Sequence, residues 1–400
     1  MRLLHTADWH LGRTLGGHSL HQDQEHLLAG QFLRMVQDTR PDAVLIAGDI
    51  FDRAVPPADA VELLDDILHR LIVGLGVPVV LIPGNHDDAR RLAFGARLLA
   101  GGGLHIADSP LGRAWEFRDA HGPVSIVASG YASPLLLAQK LPAPSPAADQ
   151  PPLRVVADHP PSRAVADHPP SRVVADHDAG MALLAPLLHA LCPPNQRRVL
   201  VAHAFVAGGS ETESERGLAV GGTGQIGAAR FAGFHYVALG HLHRPQSLAE
   251  GRLRYSGSPL AYSSSEADQQ KSVTLVELDA QGGIRTEALP LTPRHPLRIL
   301  RGSLATLLTA SSEDYLALEL TDPLPIAEAQ RRLAERYPRI IGLRWVAETL
   351  PASATSLPAA ARAASPLDQF EAFHQAMRNA PLPAAARPVV IAAITAAEQP

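Results

Sequence analysis

Five short apolar runs in this chain of 400 residues each end in side chains that can bind metal ions. The clearest run, residues 44–47, leads into Gly48 and Asp49. Apolar residues rich in strand formers and bounded by a turn residue predict a short buried strand. In open α/β sheets, reactive groups collect beyond the carboxyl ends of the strands, so we expect Asp49 to lie in such a crevice.

The other four runs follow the same pattern, and each precedes carboxylate, amide or imidazole side chains. These are Asp8 and His10 after residues 3–7, Asn85, His86 and Asp87 after 79–82, His203 after 199–202, and His241 and His243 after 236–240. Helical spacing of apolar positions over residues 22–39 separates the first two strands, and a strand–helix–strand unit implies parallel pairing. The sequence therefore predicts an α/β fold that brings these strand ends together.

The chemistry of these side chains favours two metal ions. Imidazole and carboxylate groups suit Mn²⁺, Fe²⁺ or Zn²⁺, and the lack of a thiolate among them argues against a structural zinc site. The set is too large for one ion, whereas two ions that share a carboxylate can clamp a phosphoryl group and activate water. Asp8 and His10 are two residues apart, as are His241 and His243, and we expect extended backbone to place each pair on one side.

Composition narrows the possible partners and the compartment. The net charge is 35 − 40 = −5, so any binding of nucleic acid must use local arginine patches, metals or a partner. The single cysteine, Cys192, excludes an internal disulfide and fits a reducing compartment. The N-terminus does not resemble a leader, and no apolar run is long enough to span a bilayer, so we expect a cytoplasmic protein.

Adjacent acid–histidine pairs also occur in a nine-residue tandem repeat over residues 154–177. They are Asp158-His159, Asp167-His168 and Asp176-His177. None of the pairs follows a predicted strand, so we do not expect them to bind metal. Because the repeat is short and interrupted by proline, we interpret residues 142–178 as a flexible insert.

The strand-end motifs resemble those of the calcineurin-like metallophosphoesterase superfamily, and within it those of the SbcD family of bacterial nuclease subunits. The motifs are Asp8-Trp9-His10-Leu11-Gly12, Gly48-Asp49-Ile50-Phe51-Asp52, Gly84-Asn85-His86-Asp87, Ala202-His203, Gly240-His241-Leu242-His243-Arg244-Pro245-Gln246 and Ser256-Gly257-Ser258-Pro259. The resemblance implies a four-layer β-sandwich flanked by helices over residues 1–285. It also implies a small α+β capping domain over 286–348 and, over 349–400, a linker and a helical tail that binds a partner.

The resemblance also implies a role for each site residue. One ion would be held by Asp8, His10, Asp49 and His243, and the other by Asp49, Asn85, His203 and His241. His86 would act on the scissile phosphate and protonate the leaving oxygen, and Asp87 would orient His86. The family implies Mn²⁺ and both exonuclease and endonuclease action on DNA ends and hairpins. Asp52 stands where relatives outside the bacteria carry a histidine.

A protein partner is implied as well, because the family works with an SbcC-like ATPase subunit. This chain has two lysines, Lys140 and Lys271, and neither lies in a phosphate-binding loop of the Gly-x-x-x-x-Gly-Lys type. We expect the tail helix to dock on the ATPase by an apolar face made of Leu367, Phe370, Phe373 and Met377, the alternative being that it packs on its own domain. Helices over residues 58–71 and 89–100 resemble the family's homodimer bundle, within a heterotetramer, although they could be ordinary core.

Two other functions are compatible with the same motifs. The chain could be another phosphodiesterase or phosphatase of this fold, acting on nucleotides or a different phosphoester. It could also be a non-catalytic scaffold. The added domain and tail argue against the first alternative, and the complete set of ligands argues against the second.

Overall fold

The computed structural model describes residues 1–141, 173–215, 224–346, 365–378 and 380–397. The chain divides into two compact units. The first contains Met1–Ile299, Glu313–Ala317 and Arg339–Gly342, and the second contains Leu300–Ser312, Leu318–Pro338 and Leu343–Pro400. The first unit extends past residue 285 and takes in short pieces of the predicted capping domain.

Two six-stranded sheets form the centre of the first unit. The first sheet has the spatial order Ile284–Pro290, Ser272–Leu278, Arg2–Thr6, Ala43–Ala47, Val79–Ile82 and Leu104–Ile106. The second has the order Gln246–Leu248, Leu253–Tyr255, Tyr236–Gly240, Arg197–His203, Gly122–Ser129 and Arg113–Asp119. Two small ribbons, Thr14–Leu15 with His18–Ser19 and Phe205–Val206 with Gln225–Ile226, also belong to this unit.

Four neighbouring strands in each sheet are parallel, and antiparallel strands are added at the edges. Parallel pairing places the carboxyl ends of neighbouring strands at one edge of each sheet. In the register of the second sheet, for example, Gly240 pairs with His203. The predicted metal ligands therefore leave both sheets at their carboxyl ends.

Helices cover the outer faces of the two sheets. In chain order they are His21–Glu25, His26–Phe32, Leu33–Thr39, Ala58–His69, Arg70–Gly74, Ala89–Leu92, Ala96–Leu99, Ala100–Gly102, Pro134–Lys140, His177–Ala190, Ala228–Phe231, Ala249–Gly251 and Ser264–Glu266. The single helix expected near residues 89–100 is divided, because Gly95 adopts a left-handed conformation with φ of 73° between two short helices. None of the described helices combines the length and apolarity needed to cross a bilayer.

Alternation of side chains along the strands produces the layers. Val44 and Ile46 pack in one core cluster with helix residues such as Leu27, whereas Leu45 and Ala47 belong to another cluster. That second cluster also contains residues of the other sheet, Val199 and Val201 among them, so it lies between the sheets. A third cluster joins Leu200 of the second sheet to its covering helix at Leu184. The order helix, sheet, sheet, helix confirms the predicted four-layer α/β fold.

A smaller sheet comes later in the sequence, with the strand order Leu297–Gly302, Tyr315–Leu320 and Ile340–Trp345. The helices Leu304–Leu307, Ala329–Ala334, Pro366–Arg378 and Arg387–Ala397 belong to the second unit. Within that unit the Tyr337 hydroxyl donates to the Leu307 carbonyl at 2.5 Å. In the tail, Arg387 pairs with Glu371 at 2.9 Å.

Most of the predicted insert, residues 142–172, lies outside the described residues. Its end does not match a flexible segment, because Asp176 and His177 begin a regular helix. The Asp176 carboxylate accepts a hydrogen bond from the Ala179 amide at 2.8 Å, which is the usual role of an acidic residue at a helix N-terminus. The His177 side chain is buried, with Nε2 3.3 Å from the Tyr131 hydroxyl.

Candidate metal centre

The loops at the carboxyl ends of the strands hold several ligands in unusual backbone conformations. Asp8, His10 and Asp49 have φ values of 54°, 45° and 48°, in the left-handed region, and His241 has a φ of 103°. Such conformations cost of the order of 1–3 kcal/mol for residues with a side chain, and they cluster at functional sites. The expectation of extended backbone at Asp8–His10 and His241–His243 is therefore wrong, although the loops still direct these side chains to one centre.

Two glycines let the loops approach closely enough to form this centre. A Cβ atom on Gly84 would collide with the Asp49 carboxylate, and one on Gly240 would collide with the Ala47 carbonyl oxygen. The loops are joined by main-chain hydrogen bonds from Asp8 N to Gly48 O at 3.0 Å and from His10 N to Asp49 O. The backbones of neighbouring loops are therefore in direct contact, and this contact brings the side chains at the strand ends close together.

Asp49 lies at the middle of the cluster. Its Oδ2 is 3.6 Å from His10 Nε2 and 3.5 Å from His203 Nε2. On the side of His10, its Nε2 lies 3.1 Å from His243 Nε2. On the side of His203, its Nε2 lies 2.9 Å from Asn85 Oδ1. One carboxylate oxygen therefore faces two separate groups of donors.

Asp8 and His241 complete the two groups. Asp8 Oδ1 accepts a hydrogen bond from the His241 amide at 2.9 Å and lies 3.9 Å from His203 Nδ1. The rings of His203 and His241 are in edge-to-face contact, with centroids 5.4 Å apart. All four residues of these contacts, counting Asp49, are almost fully buried. The structure thus brings together the seven residues that the sequence singled out as ligands.

The donor set fits metal ions. In the part of the chain that the structure describes, three groups have ligand atoms within 4.8 Å of one another, namely Asp8 with His10 and His243, His10 with Asp49 and His86, and Asp8 with Asp49 and His203. Among the described residues, Asp8 Oδ2 and His241 Nε2 are buried without a hydrogen-bond partner. Because a buried polar atom without a partner is costly, these two atoms are oriented to receive something else. A cation would provide the missing partner, because it binds the lone pairs of oxygen and nitrogen atoms.

The electrostatics of the cluster also favour bound cations. Burial raises the pKa of the Asp8 carboxyl to about 7, and burial lowers the pKa of His10 to about 3. Burial opposes a charged ring at His203, but the nearby Asp49 and Asp8 carboxylates outweigh it and raise the pKa of His203 to about 9. Carboxylates buried this closely repel each other, and positive charge between them relieves the repulsion.

Comparison with known families agrees with the resemblance of the strand-end motifs to metallophosphoesterases. The family model described as calcineurin-like phosphoesterase matches residues 1–245, which is more than half of the chain. The chain belongs to the calcineurin-like phosphoesterase family. A second family model, described as the type 5 capsule protein repressor C-terminal domain, matches residues 293–378.

Two curated relatives of this phosphoesterase are each named as the SbcD subunit of the nuclease SbcCD. The protein from Staphylococcus saprophyticus is 29% identical over 349 residues, which cover 86% of this chain and 84% of the relative. The protein from Staphylococcus epidermidis is 27% identical over 348 residues, which cover 86% of this chain and 85% of the relative. The similarity therefore extends well beyond the phosphoesterase part of the chain.

His86 projects into the phosphoesterase site, but the group that orients its ring differs from the prediction. Its Nε2 lies 3.9 Å from Asp49 Oδ2, and its Nδ1 donates to the Asp52 carbonyl at 2.8 Å. The Asp87 carboxylate instead accepts hydrogen bonds from the amides of Ile50, Phe51 and Gly84 at 2.9–3.0 Å. Asp87 thus joins two ligand loops, and the Asp52 carbonyl takes the orienting role that we expected of Asp87.

The protonation state of Asp87 depends on the same surroundings. Desolvation, and then the charge of Asp49, raise the pKa of the Asp87 carboxyl to about 7, while the three amides favour its charged form. Because all three contacts are donated by N–H groups, the geometry is that of a carboxylate acceptor. Cations held at the metal centre would favour this ionised form.

Asp52 forms a different part of the site. Its Oδ1 accepts from Arg13 Nη1 at 3.0 Å and lies 3.5 Å from His10 Nδ1. Burial disfavours the charged carboxylate, but contact with His10 and the charge of Arg13 outweigh this and lower the pKa of Asp52. Asp52 is therefore an ionised group behind a predicted ligand, which is a common arrangement for metal-binding histidines.

Several residues around His243 were not recognised from the sequence. Glu215 Oε1 accepts from the His243 amide at 2.7 Å, and Ser214 Oγ lies 2.5 Å from His243 Nδ1. Both residues belong to a long loop rich in glycine, serine and threonine, in which no pattern separates one polar residue from another. Lys271 also contacts His243, at its carbonyl oxygen. The one feature of the sequence that could have drawn attention to Lys271 is that the chain has only two lysines.

Proposed function

We propose that this phosphoesterase is the nuclease subunit of an SbcCD-like complex and cuts DNA at ends and hairpins. The position of Asp49 carries the proposal, since one carboxylate oxygen faces histidines of two buried ligand groups at 3.5 and 3.6 Å. The two relatives that share the nuclease name cover more than four fifths of this chain. We also propose that the protein acts in the cytoplasm, where the chromosomal DNA of a bacterium lies.

We propose that the bound ions are two Mn²⁺. Imidazole, carboxylate and amide donors are intermediate to hard ligands and suit this ion. Asp8, His10, Asp49 and His243 would hold one ion, and Asp49, Asn85, His203 and His241 the other. When bound, such a pair provides an activated water and stabilises the charge that develops on the phosphate.

The protein's own groups then have separate tasks. Asp49 fixes the spacing of the two ligand groups, and its Oδ1 also accepts from the His86 amide at 2.9 Å. The Nδ1–H of His86 is committed to the Asp52 carbonyl, so Nε2 is the nitrogen that can hold a proton and give it to the leaving oxygen. Asp87 keeps His86 in reach by tying its loop to the Asp49 loop.

Replacement of His86 tests this function. We expect His86→Ala to lower cleavage of linear and hairpin DNA by at least about 100-fold, because general acid catalysis contributes that much or more. Two Mn²⁺ per chain should remain in the purified variant. His105→Ala is the control, since His105 packs against Trp115 and is not part of the cluster. Full cleavage by His86→Ala, or faster hydrolysis of a cyclic nucleotide than of DNA by the unmodified protein, would contradict the proposal.

We propose that the chain forms a homodimer within the complex, through a surface beside the site. An apolar groove of about 740 Å³ is lined by residues of Ala58–His69 and of the two short helices that come after Asp88. Phe94 and Leu98 in this segment are 87% and 88% exposed. A contiguous exposed apolar surface is typical of a protein interface.

We propose that the helix Pro366–Arg378 binds the ATPase subunit. Phe370, Phe373 and Met377 are exposed and Leu367 is half-buried, so the predicted apolar face is available to a partner. The change to Phe373→Asp should prevent co-purification with an SbcC-like ATPase while metal content stays at two ions. Val389→Asp on the next helix, where Val389 is also exposed, is the matched control. Unchanged co-purification of Phe373→Asp would rule out this docking site.

A further inference from the structure

The His243 ring needs a fixed tautomer to serve as a ligand. Its Nε2 faces His10 Nε2 at 3.1 Å, in the middle of one ligand group. A metal ion binds the lone pair of a neutral imidazole nitrogen, so the proton of His243 has to reside on Nδ1. The partner of Nδ1 therefore determines both the tautomer and the direction of the ring.

A chain of polar groups leads away from His243 Nδ1. Ser214 Oγ lies 2.5 Å from this nitrogen and its hydroxyl donates to Glu266 Oε1. Glu266 is fully buried, and its Oε2 is 2.5 Å from the ammonium of Lys271, which is 4% exposed. The Nδ1–H of His243 thus donates to Ser214, Ser214 donates to Glu266, and Lys271 balances the charge of Glu266.

The same group also fixes the backbone of His243. Lys271 Nζ donates to the His243 carbonyl oxygen at 2.9 Å and to Ser258 Oγ at 3.1 Å. Glu215 Oε1 accepts from the His243 amide at 2.7 Å. The amide and the carbonyl of His243 and the far side of its ring are therefore held by side chains from other parts of the chain.

A buried ion pair is by itself a poor source of stability, since removing two charges from water offsets most of their attraction. Apolar residues of similar volume often replace a buried ion pair without loss of stability, so packing alone does not require Glu266 and Lys271 here. Their polar atoms are instead directed at His243, through Ser214 on the ring and through Lys271 on the carbonyl. The pair thus supports His243 on both its ring and its carbonyl side, and it also has hydrogen bonds to nearby side chains, namely Thr212, Ser263 and Gln269.

We propose that Glu266, held by Lys271, acts through Ser214 as a positioning residue that orients His243 and sets the metal affinity of its ion site. The proposal rests on the proposed function in one respect, because it takes His243 as a metal ligand. It adds a role for three residues that do not contact metal or substrate. Loss of such a support typically costs 10–100-fold in metal affinity.

Titration of metal-free protein with Mn²⁺ tests the proposal, with calorimetry reporting both sites. We expect the unmodified protein to bind two ions and Glu266→Gln to bind one of them about 10–100-fold more weakly. Ser214→Ala, which leaves the ion pair in place, should weaken the same ion. Ser214→Thr should restore binding because it returns the hydroxyl, a rescue that a purely structural role would not give.

Asp119→Asn is the matched control for loss of a buried carboxylate. Asp119 pairs with Arg197 at 2.5 Å, and both side chains are less than 10% exposed. This variant should unfold at lower temperature and bind two Mn²⁺ with unchanged affinity. Wild-type affinity at both sites in Glu266→Gln and Ser214→Ala would overturn the proposal. His243→Ala separates the two levels of inference, since retention of both ions there would instead overturn the assignment of His243 as a ligand.

Discussion

The carboxylate of Asp49 divides two tasks between its oxygen atoms. Oδ1 accepts from the His86 amide, whereas Oδ2 faces His10, His203 and the His86 ring at 3.5–3.9 Å. Burial disfavours the charged carboxylate, but the surrounding histidines, with His203 first, outweigh it and hold the pKa of Asp49 well below its usual value. An ionised Asp49 with left-handed backbone is thus built into the centre before any ion binds.

Asp49→Asn should be more damaging than loss of one terminal histidine. The amide keeps the size of the side chain but removes the charge and one acceptor that both ligand groups share. We expect bound Mn²⁺ to fall from two ions to fewer than one per chain and DNA cleavage to fall by at least about 10³-fold. Metal analysis of the purified protein measures this directly. Asp88→Asn is the control, because Asp88 caps the exposed helix Ala89–Leu92, and two bound ions in Asp49→Asn would exclude a bridging role.

The ligands could be recognised from the sequence because each comes within a few residues of the end of a strand. Their supports could not be recognised in this way. Lys271 lies 28 residues from His243, and its contact with the His243 carbonyl depends on tertiary packing rather than on any periodic pattern. Asp87 is a related case, since its position beside His86 in the sequence suggested a partnership, whereas its carboxylate binds backbone amides of its own loop and of the Asp49 loop.

At the scale of whole elements, the two short helices after Asp88 show how one glycine changes a surface. The apolar spacing predicts one helix, but the left-handed Gly95 separates the first helix from a second. Phe94 and Leu98 are left exposed beside the groove, where a continuous helix would direct its side chains differently. The periodicity of the sequence indicated a helical segment here but did not indicate the break at Gly95. A glycine is tolerated within a helix as well as between two helices, so its presence does not predict a break.

The exposed surface gives a prediction about assembly. Leu98→Glu should convert a dimer into a monomer, because the charge would have to be buried in an apolar interface. Light scattering coupled to size exclusion measures the mass, and the melting temperature should change little since Leu98 is 88% exposed. Leu135→Glu, at a 64% exposed leucine on another helix, should leave the mass unchanged. A Leu98→Glu protein that keeps its dimeric mass would place the interface elsewhere.

At the scale of the molecule, the predicted four layers exist because strand residues alternate between an inner and an outer cluster. The sequence predicted buried strands because each run is apolar on both faces, and parallel pairing then places the strand ends at one edge of each sheet. The cost of that arrangement is concentrated in the ligand loops, which contain left-handed residues and buried polar atoms without partners. The free energy of unfolding of the first compact unit should therefore depend on the ions bound at the ligand loops.

Metal removal tests this dependence. A ligand that binds only the folded state stabilises it by about 4 kcal/mol when present at 1,000 times its dissociation constant. We expect chelation by EDTA to lower the melting temperature by several degrees and added Mn²⁺ to restore it in a concentration-dependent way. Asp49→Asn should show almost no shift with Mn²⁺, because the carboxylate that joins the two ligand groups is lost. Equal shifts in both proteins would mean that Mn²⁺ stabilises the chain from a different place, and the strained loops would then need another explanation.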